Sequence, residues 1–123
     1  MLQIENVVSD RGSKYAVSGG PVADRDAVRD FLRDLTRAKR YAKATHNSWA
    51  VLFEDASGNR EPLKSDDGES GAGNVILRQL EAAGLVNHVI VVTRWYGGVK
   101  LGGDRFRHVQ TAVRSYLDTI NPS

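Results

Sequence analysis

Residues 89–92 read Val-Ile-Val-Val, and no other segment constrains the fold as strongly. Consecutive β-branched side chains lose rotamer freedom in a helix but pack well on a pleated sheet, so the run predicts a strand buried on both faces. The strand opens into two glycine pairs, Gly97-Gly98 and Gly102-Gly103. Asp104 then stands at the place of a helix N-cap, ahead of Phe106, Val109, Val113, Tyr116 and Leu117 at helical spacing. Of these, Phe106, Val109, Val113 and Tyr116 are expected to face the sheet, with Arg107 and Arg114 outside. A buried strand, a glycine loop and a helix start bring backbone N–H groups and a positive dipole end to one point. Arg94, Lys100, Arg105 and Arg107 surround that point, which marks an anion as the expected ligand.

The common nucleotide motifs do not fit this loop. Gly97 and Gly102 have the spacing of a Walker loop, but Gly103-Asp104 stand where Lys-Ser/Thr is required. No G-x-G-x-x-G is present for a dinucleotide. The glycines serve either an anion or simply left-handed turns and close strand–helix packing.

Elsewhere the pattern predicts strands at 2–8 and 14–18 about an Asp10-Arg11-Gly12 turn, the second ended by Gly19-Gly20-Pro21. A helix is expected from about Asp24, its N-cap, to about Tyr41, with Val28, Phe31, Leu32 and Leu35 on its buried side. Strands at 48–54 and 60–64 flank an Ala56-Ser57-Gly58-Asn59 turn. A helix over 71–83 buries Ile76, Leu77 and Leu80 and ends at Gly84. The order β-β-α-β-β-α-β-α predicts an α+β fold: two layers, one mixed sheet, all helices on a single face.

At 123 residues, 1–123 is read as a single domain. The absence of cysteine excludes a disulfide framework and a thiolate metal site, and favours a reducing cytoplasm. No run approaches the roughly 18 apolar residues of a membrane span. A net charge of +2 does not diagnose a nucleic-acid binder, but its distribution is uneven. Acids dominate Glu54 to Glu69, whereas Asp104 is the only acid between Arg94 and Arg114. Arg37, Lys39, Arg40 and Lys43 form a second basic group, read first as a helix end complementing its dipole.

Two further groups bear on chemistry. Asp66, Asp67 and Glu69 around Gly68 suit a hard cation or a general acid/base pair, but are read first as a tight turn ahead of a helix. Thr45, His46 and Asn47 are read as a hydrogen-bonded turn into the third strand rather than as catalytic groups. Trp95 either stacks on a base or braces the loop, and Tyr96 is read as a brace. No catalytic residue, metal or cofactor is assigned.

Thr93 to Phe106, TRWYGGVKLGGDRF, resembles the signature of the IMPACT family, whose bacterial members are the YigZ-like proteins. ATHNSWA (44–50), SDDGESGAG (65–73) and VILRQLEAAGLVNHVIVV (75–92) resemble further family segments in the same order. Trp95-Tyr96 and the Gly103-Asp104-Arg105-Phe106 ending are closer to the eukaryotic pattern. The resemblance implies a fold similar to domain IV of elongation factor G, with a left-handed crossover where chain chirality alone favours a right-handed one. It further implies a non-enzymatic regulator of translation under amino-acid starvation, without membrane association, binding a ribosome-associated protein or RNA. The binding surface is then Arg94, Trp95, Gly97, Gly98, Lys100, Gly102, Gly103, Arg105 and Arg107, with Thr45, His46, Asp66, Asp67 and Glu69 as a second polar group. The alternative is a metal-assisted hydrolase or nucleotide-processing enzyme using His46 and the Asp66/Asp67/Glu69 turn.

Overall fold

The computed structural model describes residues 1–121. Its elements are β1 (Leu2–Asp10), β2 (Ser13–Pro21), α1 (Arg25–Arg37), α2 (Lys39–Ala42), β3 (His46–Glu54), β4 (Arg60–Ser65), α3 (Ala72–Ala83), β5 (His88–Trp95) and α4 (Asp104–Ile120). The strands form one sheet in the order β1-β2-β5-β3-β4. Val89 to Val92 lie in its central strand and are at most 2% exposed.

The element order and the α+β class are as expected, but two features of the layout differ. Every pairing is antiparallel, so the sheet is not mixed. The helices also cover both faces. Tyr15, Val17, Ala50, Leu52, Ile90 and Val92 pack beneath α3 and α4, while the alternate residues Ala16, Val51, Val89 and Val91 pack beneath α1 and α2. Side chains alternate along a strand, so an unbroken apolar run needs cover on both sides.

Chain direction explains how both faces are reached. β2 and β3 run the same way on either side of β5, and β4 and β5 run the same way on either side of β3. α1 links the first pair across one face and α3 links the second across the other. Two interleaved connections on opposite faces have opposite hands, so one of them is left-handed. Two right-handed crossovers would have put both helices on one face.

Local chemistry sets the boundaries. Arg11 and Gly12 both have positive φ in the β1–β2 hairpin, as its tight turn requires. Gly19 and Gly20 do not end β2; they pair with Ile90 and Val89 inside it. A Cβ on Gly19 would lie 2.3 Å from the Tyr116 ring, and one on Gly20 would lie 3.1 Å from the Phe31 ring. The pair therefore makes room for one aromatic on each face. Asp24 caps α1 by accepting a bond from the Ala27 amide at 2.8 Å. The helix expected to reach Tyr41 is interrupted at Ala38, which is extended. Asp104 is the first residue of α4 rather than its cap, and Phe106 is 38% exposed instead of facing the sheet. Val109, Val113 and Tyr116 are buried there as expected.

Candidate functional site

At one end of the sheet the β3 start, the β5 end and the β4–α3 turn converge. Asp67 and Gly68 both have positive φ, and the Glu69 amide donates to the Asp66 carbonyl at 3.0 Å, closing a tight turn. The turn swings Glu69 inward, where it is 3% exposed. Arg94, 6% exposed on β5, meets it with Nη1 at 2.9 and 3.1 Å from the two carboxylate oxygens. His46 Nε2 approaches the same carboxylate at 3.2 Å, and its Nδ1 lies 2.8 Å from the Asp67 carbonyl oxygen. Ser13 Oγ accepts from Arg94 Nη2 at 3.3 Å and from the Gly97 amide at 3.2 Å.

Above this buried chain lies an open recess of about 540 Å³, lined by His46, Arg94, Tyr96, Lys100, Leu101 and Arg105 together with Gly102. Among the described residues, no carboxylate forms an ion pair with Lys100 or Arg105. Asp104, the one acid of the segment, is held outside by Arg11 at 2.7 Å and Arg107 at 3.3 Å. Arg94 Nε is buried and unpartnered, as is the hydroxyl of Tyr15. Burial pushes the Tyr15 phenol up to about 12; the Arg94 charge draws it back and the Glu69 charge adds to the rise.

Residues 11–117 match the Impact N-terminal domain family. The chain belongs to the IMPACT family. It is 38% identical to Protein IMPACT of Rattus norvegicus over 112 residues, covering 89% of this chain and 35% of that protein. The Protein IMPACT homolog of Schizosaccharomyces pombe is 36% identical over 107 residues, covering 87% and 38%. The chain thus spans well under half the length of these relatives. Among solved structures, one described as a hypothetical protein superposes with a TM-score of 0.80 at 24% identity, over 94% of this chain and 56% of that one, and shows the fold. The two-domain translational regulator Yih1 superposes with a TM-score of 0.60 at 29% identity, over 95% and 44%.

In this IMPACT-family chain the two groups read separately from sequence meet in one cluster, because Glu69 joins His46 to Arg94. Other residues are placed differently. Arg94 is a buried, paired group rather than a rim cation. Trp95 points to the opposite face, where its Nε1 donates to the Arg40 carbonyl at 2.9 Å and its ring packs edge-on to Tyr41 at 5.2 Å. Tyr96, read as a brace, is the aromatic that lines the recess, and it is 48% exposed. Arg107 lies on the outer side of α4, bonded to Asp104.

The amides at the α4 start are not free donors. Those of Asp104, Arg105 and Phe106 bond the carbonyls of Leu101, Gly102 and Gly103. Gly97 is fixed by close approach, since a Cβ there would lie 2.0 Å from the Gly12 carbonyl carbon. Gly98 and Gly102 have positive φ, and a Cβ on Gly103 would meet open space.

The acidic turn is held by backbone bonds. Asp66 accepts from the Gly71 and Gly73 amides at 3.0 and 2.8 Å, which holds its carboxyl below the usual range and caps α3. Asp67 accepts from the Asn47 amide at 2.7 Å, and Thr45 Oγ1 accepts from the Tyr96 amide at 2.9 Å. Ser13, Tyr15 and Leu101 were not singled out from sequence. Strand alternation marks Tyr15 as inward, but nothing local places Ser13 under Arg94.

Proposed function

We propose that this chain is a non-enzymatic regulator of translation in the response to amino-acid starvation, acting in the cytoplasm by binding ribosome-associated RNA through the recess at the end of β5. One observation carries the reading. Lys100 and Arg105 stand unpaired by carboxylates, among the described residues, over a buried chain in which Glu69 is shared by Arg94 and His46. Cations concentrated at a concave, partly apolar surface raise the local concentration of polyanions and favour their capture. The 29% identity to a solved translational regulator supports the translational setting. Asp66 and Asp67 spend their carboxylates on backbone amides, which weighs against a hydrolase using that turn. We read residues 1–123 as a single functional module. No helix among the described residues is long and apolar enough to cross a membrane.

The test is co-sedimentation with ribosomes across a salt series, with and without nuclease. Log affinity should fall linearly with log salt, and each of Lys100→Ala and Arg105→Ala should flatten the slope by up to about one unit. Nuclease should abolish the interaction. A double variant that sediments like the parent would place the interface elsewhere, and binding that survives nuclease would point to a protein partner.

A further inference from the structure

We propose that the recess seats a phosphate monoester carried on a nucleoside, with the phosphate between Lys100 and Arg105 and the base on Tyr96. The inference rests on the RNA reading above and narrows it. Its first support is the arrangement of charge. Lys100 and Arg105 line the same recess. Internal phosphodiesters bring single charges strung along a strand, whereas a terminal monoester brings about −1.5 to −2 charge and three acceptor oxygens to one point. Two cations on one recess match the second pattern.

The second support is an unmet donor. Arg94 is 6% exposed and lines the recess, yet its Nε has no partner. A buried donor left unpaired is costly, so a small shift of the Arg94 guanidinium toward an acceptor in the recess would relieve that cost while Nη1 stays on Glu69. The third support is Tyr96. It is about half exposed on the wall of the recess, with the Arg94 guanidinium 5.7 Å from its ring centroid. Leu101, 5% exposed, adds an apolar surface beside it. An aromatic face next to a phosphate site is how nucleobases are held without reading their edges. The recess, about 540 Å³, falls within the range of roughly 300–1,000 Å³ typical of small-molecule sites.

Such a group has two sources, a free nucleotide and the phosphorylated 5′ end of an RNA. The probes are AMP, adenosine, and one short 3′-labelled oligoribonucleotide prepared with a 5′-phosphate and with a 5′-hydroxyl, with titration calorimetry for the first two and anisotropy for the RNA as readouts. AMP, the 5′-phosphorylated RNA or both should bind at least about tenfold more tightly than the matching phosphate-free probe. Saturation by AMP alone identifies the free nucleotide, and preference for the phosphorylated RNA alone identifies the strand end; either supports the proposal. Lys100→Ala and Arg105→Ala should each weaken binding about tenfold, and Tyr96→Phe should preserve what Tyr96→Ala loses. RNA that binds equally with and without the 5′-phosphate overturns this inference while leaving the RNA reading intact. Absence of binding by every probe overturns both. A phosphoserine peptide that competes as well as AMP also overturns it, because the base then contributes nothing.

Discussion

A guanidinium buried as deeply as that of Arg94 persists only while its carboxylate is present. Arg94 and Glu69 are 7% and 3% exposed at their side chains, and their contact is bidentate on the carboxylate. Glu69→Ala should therefore cost about 3–5 kcal/mol in urea unfolding, because it strands a buried charge. Adding Arg94→Met should recover part of that loss; a double variant as unstable as the sum of the singles would contradict the pairing. His88 offers a second test. Its Nε2 lies 2.6 Å from the Tyr116 hydroxyl, and burial lowers the imidazole below its ordinary value while raising the phenol to about 12. A neutral ring can share one hydrogen bond with the phenol in either tautomer, whereas a protonated ring brings a buried charge. Below about pH 6.5 the unfolded chain takes up a proton at His88 that the folded chain resists, so the stability His88 supplies is present above that pH and lost as pH falls. The melting-temperature gap between the parent and His88→Gln should shrink from about pH 8 to about pH 5. A gap that stays constant or widens would contradict this environment.

The loop between β5 and α4 depends on backbone contact more than on its charges. Gly97 sits against the Gly12 backbone, with no side chain there able to move aside. Gly97→Ala should destabilise by about 1–3 kcal/mol through overpacking. Gly103 has φ −66° with open space around it, so Gly103→Ala should stay within about 0.5 kcal/mol of the parent. Thermal melts compare the two directly, and equal losses would mean that the loop has repacked. The β4–α3 connection follows the same logic, since its tight turn serves to bring Glu69 beneath Arg94 and Asp66 onto the α3 amides.

The sheet as a whole is completed late in the chain. β5 joins the β1–β2 hairpin to the β3–β4 hairpin, and the hairpins make no pairing with each other. A fragment of residues 1–87 lacks that central strand and all of α4. It should show no cooperative unfolding transition and should bind a dye for exposed apolar surface, as chains without a completed core do. A sharp two-state melt of the fragment would show that the hairpins and α1 suffice.

Sequence alone determined the order and type of the long elements, because hydrophobic period and turn chemistry are local. Val89 to Val92 announce a central strand, Asp24 a cap, and Gly84 a helix end; the ordered motifs from Ala44 to Phe106 place the chain in its family. Tertiary structure decided which face each helix covers, since the hand of a crossover is not written in any local period. It also decided that Arg94, a cation to the eye, is neutralised by a carboxylate 25 positions away, and that Trp95 faces one layer while Tyr96 lines the recess. Trp95 is the last residue of β5 and Tyr96 the first beyond it, so a single step in the chain separates a packed ring from an available one.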